Sequence, residues 1–217
     1  IVIPPTCAQG VGSVPGPWGN SRGRPPAFAR ARGFGTLALS TDGAPHLAHV
    51  PFLLAEDGGH ADLHLVRSNP LARALIGGAL PAALAVSGPD GYVSPDWYGD
   101  PQQVPTWNYV TVHAYGKPAV IDDPGAILQG QADMVDYYES DATGNWSIDD
   151  MDEDYRTNML KGIVAFEMPI NRLEGKFKLN QKNSVADREC VIKGLNATGD
   201  AEAIEVARLM AEFNPSE

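Results

Sequence analysis

The histidines carry the sharpest chemistry this chain could do unaided. His46, His49, His60 and His64 stand at H-x-x-H and H-x-x-x-H spacings. On strands, residues three apart face opposite sides, and residues four apart share a face but lie about 13 Å apart. Neither pair alone can share an ion that needs ligands at about 2 Å, so only convergence across a hairpin would build a site. They read as isolated polar groups lining a cavity, and no metal site is expected. There is no G-x-S-x-G, and Cys190 falls in a predicted helix without a nearby histidine, so nothing proposes a nucleophile.

Three other stretches suit a bound ligand better. In "HLVRSNP", His64 to Pro70, a strand ends and a helix begins, so N–H groups and the positive end of a helix dipole point outward. Arg67 adds a fork that matches phosphate geometry, with Arg73 further along. The alternative is a capped helix with a surface arginine. In "LEGKFKLNQKN", Leu173 to Asn183, Lys176 and Lys178 share one strand face while Phe177 and Leu179 share the other. The alternative there is an edge strand protected by lysines.

The third stretch is "VSPDWYGDPQQVPTWNYVTVHAYG", residues 93 to 116, with three prolines, two tryptophans and three tyrosines in a chain only 8% aromatic. Thr106, Asn108 and Val110 alternate with Trp107 and Tyr109, so amide and hydroxyl groups face one way and rings the other. Behind a stiff proline-rich approach, this suits a wall beside a flat heteroaromatic ligand. Aromatic packing over a barrel mouth is the alternative.

The elements that position these groups follow from turn chemistry and periodicity. "GTLALST", then Asp42-Gly43, then "PHLAHVPFLLA", then Asp57-Gly58-Gly59, then "HADLHLV" reads as an antiparallel meander joined by tight turns. Ser68 or Asn69 can cap a helix over "PLARALI". "LPAALAVSG" returns to strand and ends at a predicted turn, Pro89-Asp90-Gly91. "PTWNYVTVHAYG" and "KPAVID" follow as strands, and residues 126–138 and 155–161 as helices around the solvated acidic run "DDMDED". "GIVAFEMPI" and "RLEGKFKLN" read as two last strands. "DAEAIEVARLMAEF" reads as an amphipathic helix with Ala203, Val206, Ala207 and Met210 on one face. Six or seven short strands with peripheral helices predict a mainly β fold, a small antiparallel barrel, whose edges are commonly covered by dimerisation.

Residues 1–27 hold six prolines and five glycines without an apolar period and read as an irregular arm; 28–217 read as a single domain. "GVGSVPG", Gly10 to Gly16, resembles a phosphate loop only superficially, since no strand precedes it. A net charge of -11 opposes nucleic-acid binding. No apolar run is long enough to span a membrane and no secretion signal is evident, so a soluble cytoplasmic protein is expected.

"HVPFLL", "HLVRSNP", "VSGPDGYVSPDWYG", "VPTWNYVTVHAYG" and "LEGKFKLNQKN" together resemble the FMN-binding negative transcriptional regulator family, the PaiB-like proteins. The resemblance runs from about Gly33 to the C-terminal helix. It implies a split β-barrel of the pyridoxamine-phosphate-oxidase and flavin-reductase type, a homodimer with FMN at the subunit interface. By that resemblance His49, Val50, Pro51 and Phe52 lie along the flavin ring. His64, Arg67, Ser68 and Asn69 reach the phosphate and ribityl chain. Thr106, Trp107 and Asn108 border the ring, and Lys178 and Gln181 match a basic closing motif. Family members carry an acidic amphipathic helix before the "FGTL" strand. Residues 5–33 here are instead rich in Gly, Pro and Arg, apart from "AFARARGF".

Three functions stay open: a flavin-dependent oxidoreductase, a regulator that senses flavin or redox state, and a flavin-binding protein without turnover. As an enzyme, the chain would leave hydride chemistry to the flavin. No catalytic acid or base stands out beyond His64 and His113.

Overall fold

The computed structural model describes residues 24–41, 43–100, 102–139 and 143–213. The glycine-rich loop Gly10–Gly16 and all but the last residues of the expected arm lie outside them.

A helix, α1 (Arg24–Arg32), precedes the first strand, which corrects the reading of residues 24–27 as irregular chain. Its sequence RPPAFARAR places prolines in the first turn, where their missing N–H groups cost nothing. Burial of Phe28 and Ala29 supplies the stabilisation that propensity lacks. The helix is basic, not acidic as the family pattern implies.

Next come β1 (Phe34–Thr41), β2 (Ala44–Leu54) and β3 (His60–Val66), paired antiparallel as the turn signals predict. Gly43 supplies the positive φ of the first turn. Helix α2 (Pro70–Ile76) is capped by Asn69, whose side chain accepts from the Leu71 N–H at 2.9 Å.

Strand β4 (Ala82–Val93) runs straight through Pro89-Asp90-Gly91, so the predicted turn is corrected. Gly91 serves packing there: a Cβ on it would stand 3.0 Å from Leu195 and 3.6 Å from that of Ala203. After β5 (Thr106–Gly116) and β6 (Ala119–Ile121) come α3 (Pro124–Tyr138), capped by Asp123, and α4 (Glu153–Leu160), capped by Asp152. The acidic run is largely exposed; Asp150 accepts from the N–H of Ser147, which caps the turn at Ile148–Asp150, and Asp152 caps α4.

Strand β7 (Ile163–Lys178) is one continuous strand of 16 residues where two were expected. Pro169 is exposed within it and needs no break. Helices α5 (Val185–Ala197) and α6 (Ala201–Phe213) close the described chain. No helix among the described residues is long and apolar enough to cross a membrane.

The seven strands run in the order β3-β2-β1-β4-β5-β7-β6, and a further β3–β7 pairing closes the sheet on itself. This is the antiparallel barrel predicted from the pattern of short strands. Two units can be distinguished, residues 24–86 with 112–174, and residues 87–111 with 175–213. The core of the larger unit centres on Leu37, Val50, Phe52, Leu63, Phe166 and Met168. The core of the smaller includes Leu179, Leu195, Val206, Leu209 and Met210. The face predicted for the last helix is buried as expected.

In the larger unit, α1 and α3 are tied to the sheet. The Tyr138 hydroxyl donates to the carbonyls of Gly33 and Phe52 at 3.0 and 2.7 Å. Burial, with help from Tyr137 and against Arg30, pushes its pKa up to about 12. Arg30 donates to the Leu54 carbonyl and stacks over the Tyr137 ring at 4.6 Å.

Candidate functional site

The smaller unit holds a cleft of about 420 Å³ lined by Tyr98, Gln103, Thr106, Lys178, Asn180 and Gln181 among others. Thr106 opens β5 and Lys178 ends β7, so the cleft gathers residues some seventy positions apart, and the Lys178 ammonium donates to the Thr106 hydroxyl. Lys176 and Lys182 stand on its rim, a concentration of positive charge in an acidic chain. Gln181 folds back on its own loop, donating to the Phe177 carbonyl and accepting from the Leu179 N–H at 3.0 Å. Its side chain therefore shapes the turn that presents Lys178.

Trp107 is half exposed and meets Tyr92 edge-on at 5.9 Å. Asn108 is fully buried on the opposite face of β5, its Nδ2 donating to Met210 Sδ at 3.2 Å while its Oδ1 finds no partner. The alternation of rings and amides along β5 is real, and the amide side is the core side.

The other candidate residues lie in the larger unit. Along β2, Val50 and Phe52 point into the core, 1% and 0% exposed, whereas His49 is exposed and Pro51 half-buried. A planar ligand on this strand therefore meets His49, Pro51 and backbone. At the end of β3, Arg67 donates from Nε and Nη2 to the carbonyls of Lys161 and Ile163, at 3.0 and 2.8 Å, and its N–H donates to Gly162. Arg73 donates to the Ser68 carbonyl at 2.6 Å. Both guanidinium groups thus brace the 67–69 turn, and Asn69 caps α2. The capped-helix alternative accounts for these contacts.

His64 is half-buried, with its Nδ1 enclosed and unpartnered. Burial holds its pKa below the ordinary value. A histidine whose folded pKa is lowered contributes full stability above its unfolded value near 6.5 and loses it as pH falls below that. His64 is expected to contribute a decline in stability between pH 7 and 5 of no more than about 1.4 kcal/mol per pH unit, read by urea unfolding. The slope should shrink in His64→Gln; an unchanged slope would assign it to other groups.

Two features escaped sequence reasoning. Asn180 is buried at φ 57°, its amide donating to the Tyr98 hydroxyl at 2.8 Å. An asparagine just past a strand is the signal that could have marked it. The β3–β7 register sets Glu167 opposite Asp62, a juxtaposition invisible in sequence. Burial above all holds the Asp62 carboxyl above the usual range, opposed by His60 and aided by Glu167 and Asp133.

Residues 20–172 match the family described as "Putative FMN-binding domain". The chain belongs to this family. Its cofactor is FMN, and lysines with amide and hydroxyl groups are a donor set that fits a ligand carrying a phosphate and carbonyl oxygens. A protein of Aspergillus fumigatus is 30% identical, covering 82% of this chain and 87% of its own. The protease synthase and sporulation protein PAI 2 of Bacillus subtilis is 28% identical, covering 85% of this chain and 89% of its own. Among solved structures, the FAD- and haem-binding protein of Mycobacterium smegmatis superposes with a TM-score of 0.56 at 18% identity, covering 80% of this chain and 77% of its own. That likeness establishes the split-barrel fold and nothing about ligands.

Proposed function

We propose that this member of the FMN-binding family is a flavin-dependent redox protein that works as a homodimer with FMN at the subunit interface. The observation that carries the reading is the Thr106–Lys178 cleft, a basic, amide-lined hollow in a chain of net charge -11. Its residues bind and orient: Thr106 fixes the Lys178 ammonium and Gln181 shapes the loop behind it, whereas Trp107 lines a separate hollow with Tyr92. The family resemblance would assign His49, Pro51 and the β2 backbone to the ring. It would assign the 67–69 turn, whose Ser68 carbonyl accepts from Arg73, and His64 to the phosphate side. Bound flavin supplies hydride or electron transfer, so the protein need only hold it and tune its surroundings.

A sensing role exerted through another protein uses the same site, and the charge balance disfavours direct repression of DNA. The test is an absorption spectrum of the purified protein after FMN addition and desalting, followed by anaerobic NADH and NADPH. Wild-type protein is expected to retain the flavin bands, Lys178→Met to lose them, and a reduced nicotinamide to bleach them. Retention without bleaching by either donor would leave binding or sensing and remove the reductase. A protein that never retains flavin would overturn the site.

A further inference from the structure

We propose that His60, Asp62 and Glu167 form a binding site for a divalent transition cation of the Zn²⁺ class, separate from the flavin residues. His60 and Asp62 are two apart on β3 and so share a face. The register places Glu167 of β7 directly across from Asp62. One ligand atom from each residue lies within 4.8 Å of the others, and His60 Nε2 is already 3.8 Å from Asp62 Oδ2. Ligands about 2.1 Å from a tetrahedral ion stand about 3.4 Å apart, so side-chain rotation closes the set while the backbone stays fixed by strand pairing.

The surroundings favour a cation. Carboxylates directly opposite each other on neighbouring strands repel. Asp133 of α3 borders the same cavity of about 240 Å³ as Asp62 and Glu167. Among the described residues no lysine or arginine forms an ion pair with any of these three carboxylates. One imidazole and two carboxylates make a nitrogen–oxygen set suited to Zn²⁺, Mn²⁺ or Fe²⁺ and poorly suited to soft ions. The cavity leaves room for water as a further ligand beside Asp62 and Glu167, and Gln129, which donates to Asp133 at 2.8 Å, lines the same cavity. Histidine spacing alone could not reveal the site because its third member sits on another strand.

The test is calorimetric titration of ZnCl₂ into the full chain after EDTA treatment and desalting, with Co²⁺ absorption as a spectroscopic check. Saturable binding is expected, weakened at least about tenfold in His60→Ala and in Glu167→Gln, since even an outer-shell partner's loss costs that much. His46→Ala should bind as the wild type does. Glu167 is exposed, so Glu167→Gln keeps the test intact if the histidine variant fails to fold. No saturable binding at millimolar Zn²⁺, or unchanged affinity in Glu167→Gln, would overturn the proposal.

Discussion

Gly33→Ala is expected to lower unfolding free energy by about 3–4 kcal/mol. Gly33 has φ 58°, where a Cβ costs about 1–2 kcal/mol. That Cβ would also lie 1.7 Å from the Tyr138 hydroxyl and 2.5 Å from its ring. Moving the ring breaks the hydroxyl's bonds to the Gly33 and Phe52 carbonyls, each worth about 1 kcal/mol. The check is a double-mutant cycle by urea unfolding. In a Tyr138→Ala background the glycine substitution should cost only the backbone penalty, leaving a coupling of about 2 kcal/mol. Additive costs would mean that Tyr138 does not rest on Gly33.

The second large effect concerns Arg67. Arg67→Lys is expected to lose nearly as much FMN affinity as Arg67→Ala, at least about tenfold, and both should lower stability by about 1–2 kcal/mol. The reason is geometric: Arg67 reaches two carbonyls, of Lys161 and Ile163, with two nitrogens of one planar group. A lysine cannot reproduce that fork. If the residue acted on phosphate by charge alone, lysine would keep most of the binding. Flavin-fluorescence titration of the three proteins distinguishes a brace from a direct phosphate ligand.

Those contacts show where sequence reading stops. Arg67 at a strand-to-helix junction looks like an anion fork, but its partners come from a turn nearly a hundred residues later. Local signals fared well: Gly43, Asn69 and the apolar stripe of α6 each act within a few residues, and each element formed where expected. Gly91 misled because the reading treated glycine as punctuation, and the two strands read on either side of Asn171 are one. Gly91 is there for the approach of Leu195 and Ala203. Helix α1 was missed because Arg-Pro-Pro has poor propensity and only tertiary burial of Phe28 and Ala29 holds it. The Thr106–Lys178 partnership was visible only as two motifs, since their meeting depends on how β5 and β7 are brought together.

The β3–β7 pairing also has a consequence for biosynthesis. Residues 60–66 find their partners at 163–169, so on the ribosome the outer edge of β3 stays open while roughly a hundred residues are made, about 5–20 s. An open edge invites pairing with other nascent chains. His60 and Asp62 put a polar and a charged side chain along that waiting strand, and the apolar run of β7 emerges only when a partner is ready to receive it. A pause in translation just before residue 163 would prolong the interval in which that edge waits unpaired.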